Sequence, residues 1–423
     1  FIDGDLISVQ FFVEDKNIEI LAICDQVTTN TKKGFLIKSL VTKNIGINLA
    51  KKVYNLVNFY IPKYFGFWFG VKNAIEICYK TIQENPNKNI FLISEMIHNP
   101  NVNEDLKKKG IKFLQESTGK KIISWDEVTK KDIVIIPAFG TTKENMDIIK
   151  EKGIKTKSYD TTCPFVTKVW NRGNELAKKK YTIIIHGKPE HEETKATFSN
   201  FDENIPRIII KNIKEAKELS KYILNEKLPN FKEKFKGRFS SNFSPKKDFK
   251  KIGVINQTTM LAEETKEISS FFENIMNLKY GEIDGKNHIA NTRDTLCYAT
   301  NENQTSIKQL INLNIDLAFI TGGYNSSNTS QLVKICENYF KTFFISSEKK
   351  LISKNEIIHF DMEKKIERIQ KNYLPNKRKI NFLITGGASC PDSVLERLLE
   401  KICKYYNQTI NKKKIIEEFK SNY

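Results

Sequence analysis

The chain is poor in the residues that would identify it quickly. It has only 5 histidines, 5 methionines and 3 tryptophans in 423 residues. Its 7 cysteines, Cys24, Cys78, Cys163, Cys297, Cys336, Cys390 and Cys403, form no CxxC pair, which argues against a secreted disulfide scaffold and for a reducing compartment. No Rossmann glycine fingerprint is present, so no nicotinamide or flavin site is expected. The most apolar stretch, Asn55 to Val71, is broken by Asn58, Pro62 and Lys63 and falls short of the roughly 20 apolar residues of a membrane span. The chain starts at Phe1 rather than Met, which reads as a fragment or processed form, so localisation is not read from its start.

What is abundant is lysine. The net charge of +19 would suit nucleic acid, phosphate-bearing ligands or an acidic protein partner. The lysines are scattered among helices and asparagine-rich turns, as a biased genome produces. No aromatic-basic motif accompanies them, so nucleic acid is not expected as a partner.

Short β-branched runs alternate with helix-like segments from residue 89 onward, predicting an α/β fold with largely parallel sheets. The runs are 90–93, 133–136, 182–185, 208–210, 252–255, 317–320, 343–345 and 382–384. Their carboxyl ends lead into polar loops such as HNPNVNEDL, FGTTKENM, HGKPEHEET and NQTTMLAEE. In open α/β sheets this edge takes the ligand, and helix N-termini there face anions. Ile320 to Gly323 before YNSSNTSQL and Ile384 to Gly387 before ASCPDSVL nearly repeat, favouring a phosphate site over two ordinary capped turns. Residues 226–250 lack a clear period and read as a surface insertion; residues 1–57 read as a separate extension.

Cys163, in YDTTCPFVTKVW, and Cys297, in RDTLCYATNENQ, each precede a helix, where a thiolate is stabilised as nucleophile or soft-metal ligand. Cys78, Cys336 and Cys403 sit among apolar helical residues and read as core. His98, His186 and His191 fall at strand ends, and His191-Glu192-Glu193-Thr194 puts imidazole and carboxylates in one loop, enough for proton delivery or anion binding.

With these motifs in order from about residue 64 to 405, the chain resembles the 4-hydroxy-3-methylbut-2-enyl diphosphate reductase family (LytB, or IspH) in its plant and cyanobacterial form. The resemblance rests on SEMIHNPNVNEDL, VIIPAFGTT, YDTTCPFVTKVWN, IHGKPEHEETKAT, INQTTMLAEETKEI, DTLCYATNENQ, TGGYNSSNTSQL and TGGASCPDSV. It implies an iron-sulfur oxidoreductase that removes the hydroxyl of an allylic diphosphate to give isopentenyl and dimethylallyl diphosphates, the last step of the methylerythritol phosphate route. It also implies a fold of three α/β lobes in a trefoil-like arrangement around a central 4Fe-4S site. The lobes are expected at 58–163 with the tail 403–423, at 164–296 with the insertion 226–250, and at 297–402.

Carried over by motif, Cys163 and Cys297 would be cluster ligands. Glu193 would deliver the proton that makes water the leaving group, with Thr258 hydrogen-bonded to it. His98, His191, Ser326, Asn328 and Ser389 would bind the diphosphate, with Ser327 their neighbour. Phe139 stands where bacterial members place another phosphate-side histidine. The family's remaining cluster cysteine lies in a GFC-x-GV turn, which here reads Gly66-Phe67-Trp68-Phe69-Gly70-Val71, so Trp68 occupies a ligand position that indole cannot fill, and two readings stay open: an active reductase, or a cluster-deficient, inactive relative that keeps the fold and diphosphate binding. Cys78, ten residues on and about 15 Å along a helix, is too far to compensate. Cys390, beside Ser389, is the more plausible substitute. A ferredoxin-type donor and a plastid or plastid-derived, apicoplast-like organelle are implied; a homodimer stays open.

Overall fold

A computed structural model describes residues 8–14, 17–24, 35–41, 56–66, 69–290, 296–377, 379–406 and 409–410. The chain divides into two compact units, Phe69–Thr300 and Phe1–Trp68 with Asn301–Tyr423.

The Phe69–Thr300 unit contains two parallel sheets. In the smaller, Ile90–Leu92 lies between Lys112–Phe113 and Ile133–Ile135. In the larger, the order is Ile289–Ala290, Ile252–Asn256, Thr182–His186 and Arg207–Ile210. Every residue of Thr182–His186, Arg207–Ile210 and Ile252–Asn256 is buried. That is why these strands read as continuous β-branched runs instead of alternating apolar and polar residues. Each short run is too brief to be a helix and is stopped by a polar loop, and the following helix returns the chain to a parallel neighbour.

Residues 226–250 are mostly exposed, but they are anchored by buried phenylalanines. Short helices Phe231–Lys234 and Pro245–Asp248 turn Phe231, Phe235, Phe243 and Phe249 into the core against Ile208, Ile210 and Phe272. Helix periodicity is invisible there because each helix lasts only 4 residues. The phenylalanines were the signal: burying an aromatic ring stabilises by a few kcal/mol, more than the nearby lysines oppose once their heads stay in water.

The other unit is built on an eight-stranded sheet. From one edge it runs Thr342–Ile345, Leu317–Thr321, Lys379–Gly386 and Leu56–Ile61, all parallel. Phe35–Val41, Ser8–Glu14, Asn17–Cys24 and Thr409–Ile410 continue it, with antiparallel pairing at two of those steps. Phe319, Phe343, Phe382 and Tyr373 form the centre of its core. Cys336, Cys390 and Cys403 are buried here, as Cys78 is in the other unit. All eight β-branched runs singled out in the sequence coincide with strands, with Ile93 and Ile136 one residue beyond theirs, and the α/β class expected from them holds. Among the described residues no helix is long and apolar enough to cross a membrane.

Candidate active site

The strongest chemical feature is a carboxylic acid sealed from water. Glu193 sits in the first turn of the helix Glu192–Ser199 and is 1% exposed. Burial makes its ionised form costly and pushes its pKa up to about 7. Thr258 works in the opposite direction, donating its backbone N–H to Oε1 at 2.6 Å and its hydroxyl to Oε2 at 3.0 Å. The two residues meet because Thr182–His186 and Ile252–Asn256 are adjacent parallel strands, which sets the loops at their carboxyl ends side by side. The result is an acid poised to hold or release a proton near neutrality.

Two thiols stand beside it. Cys163 caps the helix Pro164–Lys178 and its N–H is held by the carbonyl of Ala138 at 2.9 Å. The N–H of Cys297 is held by the carbonyl of Thr258 at 3.2 Å, just before the helix Tyr298–Lys308. The N–H groups of Phe165 and Val166 face the Cys163 sulfur, and those of Ala299 and Thr300 face the Cys297 sulfur. The helix N-termini are therefore placed as the sequence predicts. Burial nevertheless outweighs them, raising Cys163 and pushing Cys297 up to about 12. The Glu193 carboxylate raises both further, and Cys163 acts on Cys297, so the two thiols and the acid form one electrostatic group. Sulfur so destabilised as an anion gains most from a cation bound directly to it.

His98 and His191 form a second cluster. Their Nε2 atoms are 3.1 Å apart, and His98 stacks on Phe139 with ring centroids 4.3 Å apart. His191 meets both rings edge-on. Burial lowers the His191 pKa well below its usual value. Glu95, which the sequence did not single out, faces His98 Nδ1 at 3.3 Å. Its only sequence signal was its position three residues before His98 in SEMIHNP. His186 takes no part: it is buried in its strand beside Thr265, and burial lowers it to about 4.

In the other unit, the two near-repeated loops leave adjacent strands, Leu317–Thr321 and Lys379–Gly386, and come together. Ser326 caps the helix Ser327–Glu337, and its Oγ lies 3.0 Å from Thr329 Oγ1 and 3.5 Å from Ser389 Oγ. Asn328 Oδ1 accepts the N–H of Ala388 at 2.9 Å, tying the loops to each other. Gly387 permits this approach, since a Cβ there would lie 2.1 Å from Thr329 Oγ1. Ser327 is buried in the first turn of the same helix. Neutral donors and a helix N-terminus at one loop pair suit phosphate oxygens.

Trp68 lies outside the described residues, but the turn leading to it is visible. Gly66 adopts φ +72°, and a Cβ there would lie 1.9 Å from Asp392 Oδ1 and 3.5 Å from the Cys390 carbonyl. The Cys390 loop is therefore next to this turn. Its sulfur is turned into the sheet core, 3.1 Å from Thr321 Oγ1, and burial pushes it up to about 12. This orientation does not fit Cys390 as a substitute ligand.

A buried acid beside two thiols in the Phe69–Thr300 unit, and in the other unit a pair of polar loops at the carboxyl ends of adjacent parallel strands, are features of an α/β enzyme. A LytB protein family model matches residues 60–403, and the chain belongs to that family. A 4-hydroxy-3-methylbut-2-enyl diphosphate reductase of Crocosphaera subtropica is 41% identical over 345 residues, covering 81% of this chain and 83% of that protein. One of the same description from Prochlorococcus marinus is 39% identical over 349 residues, covering 82% and 85%. The solved structure of the E-1-hydroxy-2-methyl-but-2-enyl-4-diphosphate reductase from Plasmodium falciparum shares the fold, with a TM-score of 0.59 and 21% identity, covering 84% of this chain and 90% of that one.

The family uses a 4Fe-4S cluster. The paired sulfurs of Cys163 and Cys297 suit iron in kind. Among the described residues, however, no group of three or more His, Cys, Asp or Glu is placed to hold a metal ion.

Proposed function

We propose that the chain carries the machinery for the reaction its relatives are named for: two-electron removal of the hydroxyl of 4-hydroxy-3-methylbut-2-enyl diphosphate. The products are isopentenyl and dimethylallyl diphosphates, and the place is the last step of the non-mevalonate isoprenoid route. The observation that carries this reading is Glu193, buried, clamped by Thr258 and neighboured by two thiols. A hydroxyl leaves as water only when it gains a proton, and an acid with a pKa of about 7 can supply one at neutral pH. Ser326, Asn328 and Ser389, with Ser327 beside them, are assigned to diphosphate oxygens, as are His98 and His191. Phe139 holds the His98 ring by stacking. A ferredoxin-type protein is the electron donor in this reading, and the cyanobacterial relatives support a plastid-derived compartment, which co-localisation of the endogenous protein with an organelle marker tests.

We infer further that the chain as written holds the cluster poorly. Trp68 stands at the third ligand position, and indole nitrogen donates a hydrogen bond but offers iron no lone pair. Iron and sulfide content after anaerobic reconstitution, with turnover, tests both readings. Little iron in the unaltered protein, and iron with reductase turnover in Trp68→Cys, is the expected result. A full iron complement in the unaltered protein overturns the Trp68 reading. A Trp68→Cys protein that binds iron but turns over no substrate overturns the reductase reading.

A further inference from the structure

In the unit built on the eight-stranded sheet, Glu356–Asp361 and Ile366–Lys371 form a separate antiparallel pair, and among the described residues no further strand joins it. The first of the two strands is anchored: Ile357 lies in the core, and Phe360 stacks on Tyr324 with ring centroids 4.4 Å apart. The second is the outer one and almost wholly exposed, with Ile366 and Ile369 50% and 64% accessible. Its backbone direction follows from one bond. The N–H of Asn372 donates to the Asn355 carbonyl at 2.7 Å, in step with the register Glu356↔Lys371. Hydrogen-bonded pairs alternate along an antiparallel ladder, so Arg368 and Gln370 turn their backbone groups toward Glu356–Asp361, while Glu367, Ile369 and Lys371 turn theirs outward. The Lys371 carbonyl accepts the exposed amide of Gln370 at 3.2 Å, a contact that a backbone donor can replace.

An open edge of this kind accepts another strand, and the pattern of this one fits its own copy turned around. Pairing must match outward residues with outward residues. Lys365 at φ 55° and Asn372 at φ 50° are left-handed and bound the strand, so a single antiparallel register uses all three. It sets Ile369 opposite Ile369 of the second copy, Glu367 opposite its Lys371, and Lys371 opposite its Glu367. A slip of two residues sets Ile369 against a charge and brings a left-handed residue into the ladder at one end. The three side chains share one face of the strand. On that face Glu367 Oε1 accepts the Tyr324 hydroxyl at 2.7 Å and meets Lys350 Nζ at 2.6 Å. Both contacts use Oε1, which holds the carboxylate in place and leaves Oε2 to a lysine from outside. Charges that would guard an edge against other strands are here complementary to the same strand reversed.

We propose that the edge Ile366–Lys371 is a homodimer surface, on which two copies of this chain pair antiparallel about a two-fold axis at Ile369. The interface is isologous, as closed dimers require. It joins two marginal two-stranded sheets into one continuous sheet of four strands and covers the exposed Ile369 side chain with its own counterpart. It stands independently of the reductase reading. It also reaches the loop that carries Ser326, because Tyr324, two residues earlier in the chain, is bonded to the same Glu367 that meets the second copy.

Sedimentation velocity of the full chain over micromolar concentrations tests this, and a concentration-dependent doubling of mass is expected. Lys371→Glu places two carboxylates opposite each other at both ends of the interface and should raise the dimer dissociation constant about tenfold. The chain carries +19, so this variant lessens the general repulsion between copies, and a weaker dimer can come only from the local pairs. Glu367→Lys should weaken the dimer likewise, and an equimolar mixture of the two variants should dimerise again, because Glu meets Lys at both ends of the mixed pair. Ile369→Pro removes an outward N–H, keeps the bonds to Glu356–Asp361 and should abolish the dimer with the far-ultraviolet circular dichroism unchanged. A monomer at every concentration overturns the proposal and leaves the edge to a strand of another protein. A dimer equally tight in Lys371→Glu and Ile369→Pro has its interface elsewhere and overturns it too. Two weakened single variants whose mixture recovers nothing overturn the register on which it rests.

Discussion

Replacing Thr258 with valine keeps the size of the side chain and deletes one of the two bonds that hold the Glu193 carboxylate. The backbone N–H bond to Oε1 at 2.6 Å stays, and the hydroxyl bond to Oε2 at 3.0 Å goes. A hydrogen bond to a charged group contributes about 1.5–3 kcal/mol. One pKa unit corresponds to about 1.4 kcal/mol, so Glu193 should climb by about one to two units from its value of about 7. At pH 8 the protonated fraction then rises from about one tenth to at least about half. Infrared difference spectra of the protonated carboxyl C=O band, taken across pH with Glu193→Gln as reference, read this directly and need no bound cluster. In a cluster-loaded Trp68→Cys background, the alkaline limb of kcat/KM should move upward by the same amount. Its plateau should fall, because a weaker acid delivers its proton less readily. A carboxyl band whose midpoint stays in place or moves down in Thr258→Val would refute the clamp.

Two buried acids make stability depend on pH. Glu192 and Glu193 are raised from 4.5 to about 8 and about 7, so the native protein binds their protons more tightly than the unfolded chain does. Their contribution is fully present below about pH 4.5 and lost as pH rises through 7 and 8, and Glu192→Gln should recover a few kcal/mol at pH 9, measured by urea unfolding. No gain at pH 9 would contradict the burial of that acid. Gly173→Ala should cost about 1–3 kcal/mol, since a Cβ there would meet the Phe201 ring at 2.3 Å, and an unchanged urea midpoint would rule out that contact. With a net charge of +19, turnover of a cluster-loaded protein with an acidic ferredoxin should fall steeply between low and physiological salt, and a salt-independent rate would exclude electrostatic docking.

The strands were legible because a strand buried on both faces must be apolar at every position, and Ile183–Ile184–Ile185 and Ile208–Ile209–Ile210 can be read without any partner in view. The loop motifs were legible for a related reason: polar and small residues that end a buried strand and start a helix have few structural uses. At 226–250 the local reading gave the exposed surface but not its anchor, four phenylalanines that reach the core from in and around helices too short to show a period. It also passed over Glu95, because a lone acid in a loop has no pattern, and its place beside the paired rings of His98 and His191, 93 residues apart, is set by the fold.

By itself, then, the sequence determined the α/β class and the motif order that places the chain in its family, and it singled out Glu193, Cys163, Cys297 and Trp68. Only the tertiary structure decided how those groups behave. Burial turned Glu193 into a near-neutral acid, overrode the helix N-termini at Cys163 and Cys297, and faced Cys390 into a core. Residue type sets which proton or bond is available; desolvation and hydrogen-bond polarity, which depend on distant parts of the chain, set whether it is used.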